Sequence, residues 1–247
     1  MPVRPPIARG LFALFAVATL AGAKPAPTPP PPATESYALA LLWRGPQWTP
    51  ERTARTDSIQ AGHMANIRTM WEAGSLVAAG PCGGDPMLRG IFVWKVDSLA
   101  DLGPQLANDP AVASGRLRPE VHRWFADPGV GADYRARVTA NPNARDSMVT
   151  FTMVLLERGP SYTSNWTPRV KKVLEGHAKH VAKLRREGAL VLAGSFAGLG
   201  DPRGLLFFAA DSTRTAALLA DDPAIRSGRF KARSWRWWAA FGTVPGH

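Results

Sequence analysis

The 247-residue chain carries 30 Lys+Arg against 19 Asp+Glu, a net charge of +11, and 45% of its residues are hydrophobic. That apolar share excludes a disordered chain and is enough for a core of ordinary size. A single cysteine, Cys82, excludes an internal disulfide, and the basic balance favours anionic ligands or surfaces by long-range attraction.

Residues 1–23 read as an export signal: Arg4 and Arg9, an apolar run from Leu11 to Leu20, then the small-residue cleavage site Ala21-Gly22-Ala23. The run is shorter than the ~20 apolar residues of a membrane-spanning helix. The expectation is therefore an exported protein, periplasmic or secreted, with no membrane span once the signal is removed. Residues 24–36 open as KPAPTPPPPA and form a Pro-rich tether without the apolar surface to fold.

The rest of the chain is written twice. YALALLWRGP at Tyr37 answers to FTMVLLERGP at Phe151, and the offset of 114 residues then carries Gly62-His63 onto Gly176-His177, Gly74 onto Gly188 and Asp97-Ser98 onto Asp211-Ser212. After one deletion the offset is 113, so Asp109-Pro110-Ala111 answers to Asp222-Pro223-Ala224 and Trp124 to Trp237. The copies occupy residues 37–126 and 148–242, and the Gly/Pro/Asn/Arg-rich stretch 127–147 reads as a linker.

Within the first copy, Tyr37–Trp43 is a buried-strand run ended by Gly45-Pro46, and Thr49-Pro50-Glu51 places an N-cap and a helix-opening proline after it. Ile59, His63, Ile67 and Met70 share one face of the helix that follows, and Gly74 closes it. Leu76–Gly80 and Ile91–Val96 are two strands. Ser98 with Asp101 opens a second helix, and Val121–Phe125 is a last strand. The order β-α-β-β-α-β is that of ferredoxin-like domains. A sheet with both helices on one face leaves the other face apolar, so the expected fold class is α+β: two tandem ferredoxin-like domains packed sheet to sheet as a pseudo-dimeric barrel within the chain.

The ordered set ALLWRGP, GHMANIRTMWEAGSLVAAGP, GGDPMLRGIFVW, NDPAVASGR and VHRWF resembles the YCII-related family across both copies. The resemblance implies dimeric α+β barrel domains akin to muconolactone-isomerase-like proteins. It also implies a His–Asp pair as active site, which falls on His63 and Asp85. In the second copy His177 matches, but position 199 is Leu199 and the nearest acid is Asp201, so the second site departs from the pattern.

From the residues alone, His63 lies four positions from both Ile59 and Ile67 and points toward the sheet. With a carboxylate fixing its tautomer it could move protons near neutral pH. The leading expectation is a cofactor-independent enzyme of isomerase, lyase or hydrolase type acting on a small organic substrate. The alternative is a non-catalytic small-molecule-binding or structural module. Expected partners are a small ligand, favoured as anionic by the charge, and no nucleic acid. Asp109-Pro110 and Asp222-Pro223 read as turn openers. His177-x-x-His180 is a weak metal pattern, and some related barrels hold haem through an axial histidine, which nothing in these residues selects. Trp43, Trp94, Trp124 and Trp237 could line an aromatic pocket, and Arg229, Lys231 and Arg233 read as the charged face of an edge strand.

Overall fold

The apolar run after the tether forms β1 (Glu35–Arg44), whose central residues Tyr37 to Leu42 are buried on both faces. Burial on both sides is what a near-continuous apolar strand predicts. The computed structural model describes residues 33–143, 145–198 and 200–247, so the expected signal and most of the tether lie outside the described residues. Along the chain follow α1 (Ala54–Glu72), β2 (Leu76–Gly83), β3 (Leu88–Trp94), α2 (Leu102–Ala107), α3 (Pro110–Ala113) and β4 (Leu117–Ala126). After α4 (Ala132–Ala140) the second half gives β5 (Met148–Arg158), α5 (Pro168–Arg186), β6 (Leu190–Phe196), β7 (Gly204–Phe208), α6 (Ser212–Ala220), α7 (Pro223–Arg226) and β8 (Phe230–Ala240).

All eight strands pair antiparallel in the closed order β1-β3-β2-β8-β5-β7-β6-β4. This is an α+β fold whose single sheet has no free edge. The long pairings lie within each half: β1 runs with β4 from Glu35↔Ala126 to Arg44↔Leu117, and β5 with β8 from Met148↔Ala240 to Arg158↔Phe230. The seams between halves are short, two residue pairs in β2–β8 and three in β4–β6.

Alternate residues of every strand fill the lumen: Tyr37, Leu39, Trp124, Phe151, Phe207, Trp235 and Trp237 belong to one buried cluster. Trp124 and Trp237 both pack on Phe207, with ring centroids 6.2 and 4.9 Å away. Each such buried aromatic contributes roughly 3 kcal/mol. The outward faces carry two further clusters under the helices, Trp94, Phe92, Leu42 and Met70 in the first half, Phe208, Leu206, Leu156 and Leu184 in the second. The tryptophans are thus split, Trp94 beneath the helices and Trp124 and Trp237 in the lumen.

Four local expectations change. The first helix starts at Ala54, with Thr53 and not Thr49 as N-cap: Thr53 and Thr56 form a reciprocal capping box, while Thr49 is held by Arg116. A 3-10 turn, Leu99–Asp101, precedes α2 behind the Ser98 cap. The stretch read as linker contains α4. Finally, β8 is no edge strand. It pairs with β5 along its length and with β2 at Arg236 and Trp237, and Lys231 and Arg233, paired with β5 alone, reach Glu157 at 3.4 Å and Asp85 at 2.8 Å.

Candidate functional site

His63 projects from α1 toward the outer face of the sheet, its ring stacked on Phe92 of β3 at 5.6 Å and 19°. Its Nδ1 lies 2.7 Å from Oδ2 of Asp109, which is fully buried. Asp109 is the N-cap of α3: its Oδ1 accepts the Ala111 N–H at 2.8 Å, and Asn66 Nδ2 donates to Oδ2 at 3.3 Å. The glycine before the histidine makes this meeting possible. A Cβ on Gly62 would come within 2.7 Å of Pro110 Cγ, so only glycine lets α1 approach α3 closely.

The second half repeats the clamp. His177 Nδ1 is 2.6 Å from Asp222 Oδ2, Asp222 caps α7 through the Ala224 N–H, and a Cβ on Gly176 would sit 3.0 Å from Pro223 Cγ. Burial alone pushes both carboxyls up. The bond and charge of the histidine, with the backbone N–H, outweigh it and hold Asp109 and Asp222 below the ordinary carboxylate value. An ionised carboxylate accepting at Nδ1 places the proton there and leaves the lone pair of a neutral ring on Nε2.

The other expected site residues lie elsewhere. Asp85 does not meet His63: its Oδ1 accepts the Met87 N–H at 2.8 Å and its Oδ2 pairs with Arg233 at 2.8 Å, at the lumen end of the barrel. A turn aspartate satisfies its own loop first, and the lumen and outer faces of the sheet keep the two apart. Asp201 accepts the Arg158 N–H at 2.7 Å and pairs with its side chain, not with His177. His180 Nε2 donates to the Leu218 carbonyl at 2.9 Å, as Asn66 at the matching position donates to Gln105. Among the described residues no three His, Cys, Asp or Glu side chains converge as a metal site. Sequence reasoning passed over Asp109 and Asp222 as turn openers, although the repeat carried the signal: both halves keep this His and this Asp, and only one keeps Asp85.

Beside His63 lies a cleft of about 850 Å³ between α1, the loop before it and β2–β3. Met64, Ile67 and Phe92 give it apolar walls, and Arg52, Arg89 and Arg116 border it. Arg44 and Arg89 flank the Trp48 ring at 3.6 and 5.5 Å. A volume of this size falls within the ~300–1,000 Å³ of small-molecule and cofactor sites. His63 is 12% exposed, and its Nε2 has no hydrogen-bond partner among the described residues.

No protein-family model matches the chain, and no curated protein does. Solved structures do. A candidate chlorite dismutase aligns with a TM-score of 0.52 at 12% identity, over 84% of this chain and 94% of its own. A point mutant of chlorite dismutase from Candidatus Nitrospira defluvii, in complex with cyanide, aligns at 0.50 and 12% over 84% and 91%. A haem-binding protein from Thermus thermophilus gives 0.48 and 14% over 85% and 94%. At these identities the likeness is one of fold.

These findings correct the family reading. The structural neighbours are chlorite dismutases and not YCII-related or muconolactone-isomerase-like proteins. The cofactor-independent His–Asp enzyme falls with it, because the pairing of His63 with Asp85 came from that resemblance and the structure gives His63 another partner.

Proposed function

We propose that the chain is a haem-binding protein, with the cleft over α1 as its site and His63 Nε2 as the donor that would hold the iron. The observation that carries this is the donor set. Haem iron needs as little as one protein ligand, most often a histidine, and a ligating histidine almost always donates its other N–H to a carboxylate or carbonyl. His63 meets both requirements: Nδ1 is held by the buried Asp109 and Nε2 is left free at a cleft with apolar walls. Arg52, Arg89 and Arg116 at its border suit the propionates of a tetrapyrrole. The cyanide complex of a fold neighbour agrees, since cyanide is a strong ligand of transition-metal ions such as haem iron.

When bound, haem would supply redox and anion-binding chemistry at its iron. The chain's own part is to orient. Asp109 fixes the ring tautomer, Phe92 stacks on the ring, and Met64 and Ile67 line one side of the cleft. The test is titration of the purified protein with hemin. A saturable one-to-one Soret shift is expected, lost in His63→Ala and kept in His177→Ala. Equal shifts in wild type and His63→Ala would overturn the assignment.

Two broader readings belong to the same proposal. The barrel is a duplicated ferredoxin-like unit folded into an intrachain pseudo-dimer, supported by the matching registers of β1–β4 and β5–β8. Co-expression of the halves as separate chains should then yield a one-to-one complex. The protein is exported, supported by the apolar run and the small residues after it. N-terminal sequencing of the mature chain should begin at Lys24. No helix among the described residues is long and apolar enough to cross a membrane.

A further inference from the structure

The cleft over His63 does not end at α1. It continues into a second compartment of about 380 Å³, and the two share Met64, Ile67, Ala79, Tyr134, Asp146 and Ala240 along their boundary. Its apolar walls come from Trp71 of α1, Leu76, Val77 and Ala78 of β2, and Val138 of α4, with Arg68, Glu72, Asp146 and Thr243 at its rim. Its roof is α4, bolted down by Arg135, which donates to the Trp71 carbonyl at 2.8 Å, and by Asp146, which pairs with Arg137 at 3.1 Å and accepts from Tyr134 at 3.2 Å. The approach is tight: a Cβ on Gly131, just before α4, would meet the Val77 carbonyl oxygen at 2.0 Å.

The other half carries different residues at this place. Trp71 answers to Arg185 and Ala240 to Asp127. There Arg185 and Asp127 form an ion pair at 2.7 Å, and Asp127 is also fastened to the sheet by the Ala193 N–H at 2.9 Å. The halves thus keep the same clamp and differ at two positions beside the arm and in α4, which follows β4 but not β8. Replacement of a half-buried ion pair by tryptophan and alanine creates apolar surface. A filler role for Trp71, which rests edge-on against Tyr134 at 5.9 Å, would have left no arm beside it.

We propose that the arm is a binding site for a fatty acyl chain, held beside the His63 cleft. The proposal stands on the arm alone and does not depend on the haem reading above.

The test uses cis-parinaric acid, a fluorescent C18 fatty acid, titrated into the full-length protein with emission read through energy transfer from tryptophan. Saturable binding is expected in wild type. The double variant Trp71→Arg/Ala240→Asp, which writes the ion pair of the second half into the first, should weaken it at least tenfold. Val138→Trp, which fills the arm from its roof and touches only that compartment, should do the same while leaving the hemin titration unchanged. It decides the matter if the double variant does not fold. Non-saturable binding by wild type, or wild-type affinity in Val138→Trp, overturns the proposal. Binding of cis-parinaric acid without any hemin Soret shift would remove the haem reading and leave the arm standing, and hemin binding without the fatty acid would do the reverse.

Discussion

The region around His63 and its counterpart around His177 are built from one plan and end differently. Each has a histidine on a long helix, a glycine before it that admits a proline from the next short helix, and a buried aspartate that caps that helix and holds the imidazole. In the first half the neighbouring positions are Trp71 and Ala240, and a cleft with an arm opens there. In the second they are Arg185 and Asp127, locked together. What both halves keep is a clamp between helices. What one half has changed points to the ligand.

The comparison is tested most severely at the aspartates. Asp109→Ala and Asp222→Ala each remove a buried ionised acceptor, orphan a histidine Nδ1–H and strip a helix cap, so each is expected to cost about 3 kcal/mol. Urea unfolding should return similar losses for the two, because the clamp is common. The hemin Soret shift should separate them: Asp109→Ala weakens it and Asp222→Ala leaves it. Similar effects of both variants on hemin would mean that the halves do not differ in the way their surroundings suggest.

Arg185→Ala is the gentler probe of the second half. It leaves Asp127 with the Ala193 N–H, and the pair is only part-buried, so a loss of about 1–2 kcal/mol is expected. Trp71→Ala should instead change ligand binding more than stability, because Trp71 is only part-buried and lines the arm. Urea midpoints for the two variants, read beside a cis-parinaric acid titration, check that crossed pattern.

Much of this architecture is written locally. Strands such as Tyr37–Trp43 and the helix face Ile59, His63, Ile67 are legible because buried β runs and helical periodicity are properties of short windows, and the repeat confirms each window against its twin. Barrel closure is not local. It depends on two short seams, Cys82↔Trp237 with Gly83↔Arg236 and Trp124↔Phe196 with its two neighbours, which no periodicity announces. That is why Arg233 looked like an edge guard and lies at the barrel mouth. The candidate site was legible in one partner only. His63 stood out by type and position, but Asp109 was hidden by the ordinariness of Asp-Pro as a turn opener, and a family resemblance placed the carboxylate at Asp85. The difference between Trp71 and Arg185 was visible as a mismatch between copies and acquired meaning only when the sheet brought Ala240 and Asp127 beside them.

The smallest contrast between the halves is electrostatic. Glu35 stands where the second half has Val149, and it bonds Lys95, the Tyr37 hydroxyl and, at 3.1 Å, the Gly129 N–H, tying the start of β1 to the segment that enters α4. The Lys95 and Tyr37 bonds, against a smaller cost of burial, lower its pKa from 4.5 to about 2. A carboxyl that holds its proton less tightly folded than unfolded contributes fully above pH 4.5 and loses that contribution as the pH falls toward 2. Asp109 and Asp222 are lowered too and act in the same direction in both halves. Glu35→Gln should therefore lower stability at neutral pH and flatten, without abolishing, the decline of the urea midpoint on acidification. The remaining slope belongs to the two clamps and to Asp85, which the Met87 N–H and Arg233 also hold down. An acid limb in Glu35→Gln as steep as that of wild type would show that the first half draws no stability from this tie, and that Val149 serves its position equally well.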